Sequence, residues 1–135
     1  MTPSRRARLR APEDGPISFT THADLAEGAA IALTGESLDD EVVALTAAEA
    51  VDLNDIAAMA SELTGRSIRR VVVSDEEHRA GLVAKGLPDI RVDMSLGLFQ
   101  ASRLGQFARV DPTLAGLLGR PPTPMRDVLR ASLAA

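Results

Sequence analysis

The sequence predicts an α/β fold, and three features predict it. Short β-branched stretches alternate with helix-length segments, those segments open on side chains able to cap a helix, and several close on glycine. About three short strands and five or six helices are expected over residues 17–135, preceded by a basic, flexible arm over residues 1–16.

The arm is rich in proline and arginine, with Arg5, Arg6, Arg8 and Arg10 against Glu13 and Asp14. Ile17–Thr20 reads as the first strand. A helix follows from about Ala23 to Leu33, with Thr21 or His22 at its N-cap and Asp24 and Glu27 in the early turns, where the helix dipole favours anions. Gly35 ends it, Glu36–Glu41 form a polar loop, and Val42–Thr46 reads as a second strand by β-branched content. Asp52 caps a helix over Leu53–Thr64, whose Leu53, Ile56, Ala57, Ala60 and Leu63 fall on one stripe before Gly65.

Ile68–Val73 is the third strand. Ser74 and Glu77 have the spacing of a capping box for a helix reaching Lys85 and stopping at Gly86-Leu87-Pro88. Asp89–Gly105 reads as a helix with Val92, Leu96, Phe99 and Arg103 on a shared face, although Gly97 and Gly105 weaken it. Phe107–Val110 is extended. Asp111-Pro112 then starts a helix that stops at Gly119, and after a stiff Pro121–Pro124 linker Thr123 caps a last helix, Met125–Leu133.

Composition narrows the function. Hydrophobic residues at 45% and charged residues at 25% describe a chain with a packed core. Aromatic residues are only 2%, namely Phe19, Phe99 and Phe107, so aliphatic side chains and alanine must do most of the packing. The net charge of −4 argues against nucleic-acid binding, which needs a basic footprint. No cysteine is present, no apolar run is long enough to span a membrane, and no secretory signal is visible, so the cytoplasm is the expected location.

The chemistry-bearing residues are few. No closely spaced glycines follow a strand and open a helix, the arrangement that lets backbone amides approach a pyrophosphate. Gly116-Leu117-Leu118-Gly119 sits at a helix end, where the dipole repels anions. There is no tyrosine, and the single lysine, Lys85, reads as a helix-end charge. His78, beside Asp75, Glu76 and Glu77, has too few strong ligands near it for a metal and reads as an exposed imidazole on a capped helix. Asp39, Asp40 and Glu41 read as a solvated turn, and no Gly-x-Ser-x-Gly elbow occurs. On this reading there is no catalytic, cofactor-binding or metal-ligating residue.

The run Phe19-Thr20-Thr21-His22-Ala23-Asp24-Leu25-Ala26-Glu27-Gly28-Ala29-Ala30 is followed in order by Gly65-Arg66, Gly86-Leu87-Pro88 and Gly119-Arg120-Pro121-Pro122-Thr123-Pro124. This order resembles the C-terminal part of NmrA-like proteins, atypical short-chain dehydrogenases that include NAD(P)H:quinone oxidoreductases. The resemblance covers about residues 17–133 and implies a partial Rossmann-like fold on the substrate side, with NADP(H) held by the other half of the complete protein and no cofactor bound by this chain alone. It also places three residues near a substrate: His22 at a strand-to-helix turn, and Phe99 with Arg103 on the helix over the cleft. Each has a plainer role beside that one, His22 as a cap, Phe99 as core, and Arg103 as a side chain reaching to solvent.

Two functions follow from the resemblance. One is the substrate-binding portion of an NAD(P)H-dependent oxidoreductase, inactive alone; the other is a non-catalytic binding or regulatory module. An uncovered apolar patch or sheet edge would favour a homodimer or a separate nucleotide-binding subunit. A small-molecule substrate is expected, and neither nucleic acid nor membrane.

Overall fold

The structure, a computed structural model, describes residues 7–35 and 43–134. Two parallel strands, β1 (Arg8–Pro12) and β2 (Arg69–Val73), pair with Arg8 opposite Arg69 and Pro12 opposite Val73. Helices α1 (His22–Thr34) and α2 (Leu53–Thr64) lie between them in sequence. After β2 come α3 (Asp75–Ala84), α4 (Asp89–Arg103), α5 (Thr113–Leu118) and α6 (Met125–Ala134). The α/β class is as expected, and the six helices among the described residues agree with the five or six expected.

The strands differ from expectation. Arg8–Pro12, assigned to the flexible arm, is a strand paired in register along its length. Its alternation of exposed arginines about half-buried Leu9 is a period-two signal that the surrounding positive charge obscured. Ile17–Thr20 is reduced to one antiparallel bridge, in which Ile17 and Val51 exchange backbone hydrogen bonds of 2.8 and 2.9 Å. Residues 43–46 are irregular. Val42 and the polar loop before it, with Asp39, Asp40 and Glu41, fall outside the described residues.

Arginine chemistry holds β1 in place. The Arg70 side chain, 6% exposed, donates to the carbonyls of Ala11 at 2.7 Å, Val71 at 2.8 Å and Pro12, and faces Asp14 at 3.5 Å. Asp14 in turn accepts the Leu53 amide at 2.9 Å, at the N-terminus of α2. One buried ion pair thus joins both strands to a helix end that needs acceptors.

The helix ends obey local rules. Thr21 Oγ1 accepts the Asp24 amide at 3.1 Å, and Asp52 with Asp55 completes a reciprocal capping box. Ser74 caps α3 through the Glu77 amide, but the Glu77 carboxylate meets the Ser74 hydroxyl rather than its amide. Asp111 Oδ1 accepts the Thr113 amide at 2.9 Å and so caps α5 across Pro112. Gly65 and Gly119 close α2 and α5 at positive φ, where a side chain would be strained.

Helix α1 packs on α5, α2 on α6 and β2, and α3 on α4 and β1. Val92 and Leu114 are fully buried, with Ala11, Ala47, Val51, Ala57 and Leu96 around them. Gly28 exists for one of these contacts: a Cβ there would stand 2.5 Å from the tip of Leu114.

Candidate functional site

A cleft of about 360 Å³ opens between α4 and the segment that leads from β1 to α1. Helix α4 presents Ser95, Leu98, Phe99 and Ser102 to it, the spacing of one helical face. Ile17 and Phe19 come from the segment before α1, Leu53 from the start of α2, and Phe107 from the chain leaving α4. All three phenylalanines of the protein therefore meet at one place. A wall of aromatic rings and aliphatic side chains with few polar atoms suits a flat, apolar ligand.

The cleft is held open by polar contacts on its rim. Ser102, 1% exposed, accepts the Gly15 amide at 2.9 Å and donates to the Gly15 carbonyl at 3.0 Å. A Cβ on Gly15 would lie 2.3 Å from the Ser102 carbonyl oxygen, so only glycine permits this approach. Ser18 donates to the Phe107 carbonyl at 2.8 Å, which ties the two flanking segments together. Behind the cleft, His78 meets the Phe99 ring edge-on at a centroid distance of 5.2 Å and lies 2.9 Å from the Ser95 hydroxyl through Nε2. His78 is thus half-buried and partnered, not the exposed imidazole expected.

Of the three residues expected to line a substrate, the structure brings only Phe99 to the cleft. His22 is exposed on the first turn of α1. Arg103 turns away to grip both Asp75 oxygens at 3.1 and 2.9 Å and the Glu13 carbonyl at 2.9 Å, on a shallow groove over β2 and the start of α3. That guanidinium is the main reason the Asp75 carboxyl is held below its ordinary range. A cation so engaged is a structural clamp between α4 and α3.

A second polar centre escaped the sequence reading. Asp24 is 2% exposed, and its carboxylate accepts the Thr123 amide at 2.6 Å and Arg120 at 2.8 Å. Burial by itself would raise its pKa; the Thr123 amide and then Arg120 outweigh that and bring it down to about 2. Arg120 reaches Glu27 as well, at 2.8 Å. Thr123, expected to cap α6, gives its amide to Asp24. The α1 run and the Gly-Arg-Pro-Pro-Thr-Pro run are therefore one unit, joined through a buried carboxylate.

Among the described residues, no group of three or more histidines, cysteines or acids could hold a metal ion. The turn from β2 into α3, Val73-Ser74-Asp75, contains no glycine, and Gly119 closes a helix rather than opening one. No described helix is long and apolar enough to cross a membrane.

No family model matches the chain. It is, however, 30% identical over 132 residues to an NmrA-like family domain-containing oxidoreductase of Aspergillus flavus, an alignment covering 93% of this chain and 42% of that protein. Quinone oxidoreductase 2 of Escherichia coli is 28% identical over 114 residues, covering 84% of this chain and 40% of that one. The crystal structure of an NADPH-dependent quinone oxidoreductase from Escherichia coli complexed with NADPH superposes with a TM-score of 0.86 at 26% identity, over 95% of this chain and 45% of that chain. The chain thus spans about two-fifths of the length of the curated relatives it matches.

Proposed function

We propose that this chain, NmrA-like in sequence and fold over more than nine-tenths of its length, is the C-terminal, substrate-binding portion of an NAD(P)H-dependent oxidoreductase of the quinone-reductase type. The observation that carries this reading is the convergence of Phe19, Phe99 and Phe107 on one apolar cleft in a chain with no other aromatic residue. Flat rings stack on or meet aromatic edges with a preference of about 0.5–1.5 kcal/mol per pair beyond simple burial. The relative from Escherichia coli that is named a quinone oxidoreductase agrees with a planar ring in that place. The chain's part is to bind and orient the ring and keep water from its face, while a nicotinamide nucleotide held by residues outside the matched two-fifths supplies hydride.

The test is calorimetric titration of the purified chain with 1,4-naphthoquinone. One saturable site is expected, weakened about tenfold by Phe99→Ala, the truncation removing roughly 1–2 kcal/mol of ring contact, and unchanged by His22→Ala. Binding indifferent to Phe99→Ala would overturn the assignment. The chain alone is expected neither to bind NADPH tightly nor to oxidise it with quinone present; saturable NADPH binding would overturn the division of labour.

One observation favours association as well. Ile90, Met94 and Leu98 form an exposed apolar row along α4, ending at the cleft. The same reading expects a homodimer or a nucleotide-binding chain to cover it, and a monomer at high concentration in ultracentrifugation, unmoved by Met94→Lys, would refute it.

A further inference from the structure

We infer that Ser95, oriented by His78, is the polar anchor of the cleft, and that this pair makes the cleft select aromatic rings bearing an oxygen over bare aromatic hydrocarbons. This rests on the cleft being the ligand site proposed above.

Three polar side chains line the cleft: Asp14, Ser95 and Ser102. Asp14 is committed to the Leu53 amide and Arg70. The Ser102 hydroxyl is spent twice over on Gly15. Ser95 has a single hydrogen bond among the described residues, to His78 Nε2 at 2.9 Å. A serine hydroxyl offers one donor and two acceptor positions, so Ser95 retains capacity to meet a ligand.

What it offers depends on the imidazole. With a proton on Nε2, His78 donates to Ser95, and the Ser95 O–H is free to donate to a carbonyl oxygen. With Nε2 unprotonated, Ser95 donates to His78 and turns lone pairs toward the cleft, where a phenolic O–H can be accepted. The same two side chains therefore hold a quinone-like acceptor or a hydroquinone-like donor by relocating one proton. His78 is placed for this exchange. Its ring is fixed by the Phe99 edge on one side and borders, on the other, an outer groove lined by Arg10, Glu77 and Lys85.

The test uses three probes of one ring size: naphthalene, 1,4-naphthoquinone and 1-naphthol, titrated calorimetrically into the full chain and its variants, with circular dichroism confirming each fold. Ser95→Ala is expected to weaken naphthoquinone and naphthol about 5- to 10-fold, the worth of one hydrogen bond, and to leave naphthalene unchanged. Ser95→Thr should restore the preference. His78→Phe, which keeps a ring against Phe99, should shrink the preference for both oxygenated probes. Equal losses for all three probes, or none for the oxygenated pair, would overturn the anchor while leaving the cleft intact. If naphthalene fails to bind, or binds regardless of Phe99→Ala, the cleft itself is misassigned and the anchor falls with it.

Discussion

Replacing Asp24 by asparagine tests the polar centre that joins α1 to the Gly119–Pro124 segment. The change keeps the shape and leaves an oxygen for the Thr123 amide, but removes the charge that Arg120 faces. Asp24 titrates at about 2 instead of the ordinary 3.8, so its ionised form is favoured in the folded chain. At 1.36 kcal/mol per pKa unit that difference is a little over ~2 kcal/mol. Arg120 is 43% exposed on its side chain, and solvent screens its share, so about 1–2 kcal/mol is the expected loss at pH 7.

The pH dependence has a definite sign. A carboxylate whose pKa is depressed on folding stabilises the fold above its unfolded value and loses that contribution as pH falls through the folded value. The gap between wild type and Asp24→Asn should therefore hold from pH 7 to about pH 5. It should shrink below 3.8, to roughly half by pH 3, because protonated Asp24 then resembles asparagine. Urea unfolding followed by far-ultraviolet circular dichroism is the assay, since the chain has neither tryptophan nor tyrosine. With an m-value of ~1–2 kcal/mol/M, the midpoint should move by about 1 M at pH 7. A variant as stable as wild type at pH 7, or a gap constant down to pH 3, would refute the reasoning.

Arg70→Ala leaves Asp14 buried without its ionic partner and takes one donor from each of three carbonyls, so a loss of about 3 kcal/mol or more is expected. Hydrogen exchange should show β1 amides unprotected before those of α4. Gly15→Ala should cost about 1–3 kcal/mol, because the carbonyl it strikes belongs to helix backbone that cannot swing aside. Gly97→Ala, on the exposed side of α4 with nothing within 4 Å, should instead stabilise by ~0.5–1 kcal/mol; thermal melts of the two variants should move in opposite directions. Arg103→Ala should loosen α3 from α4 yet leave naphthoquinone affinity unchanged, and a large loss of binding would return Arg103 to the site.

Much of the fold was legible because its signals are local. The N-caps at Thr21, Asp52 and Ser74 and the stops at Gly65 and Gly119 are each decided within four residues of chain. The strands were harder, since a strand depends on its partner. Arg8–Pro12 pairs with a segment some sixty residues away, whereas Ile17–Thr20, apolar enough to read as a strand, forms a single bridge, to Val51. The site was least legible. Phe99 could be placed on the inner face of α4 by helical period, but Arg103, one turn on, is long enough to leave that face for Asp75. Nothing in sequence says that His78 and Ser95, on separate helices, will meet, or that Asp24 will be buried rather than solvated at a helix start.

The segment from Asp14 to Phe19 explains why fold and site cannot be separated here. It leaves β1, gives Asp14 to the buried pair with Arg70, gives Gly15 to Ser102, and then supplies Ile17 and Phe19 as cleft wall. Its polar atoms are satisfied inward by α2 and α4, which frees its apolar side chains to face the opening. Were β1 a loose arm, Asp14 and Gly15 would have no fixed partners, Ser102 would be a buried hydroxyl without acceptor or donor, and one side of the cleft would be lost. Ring binding and β1 pairing should therefore be coupled: a saturating aromatic ligand must slow hydrogen exchange at Leu9 to Ala11, although none of those residues lines the cleft. Exchange at β1 that ignores a bound ring would separate the two and show that the cleft does not depend on β1 for its wall.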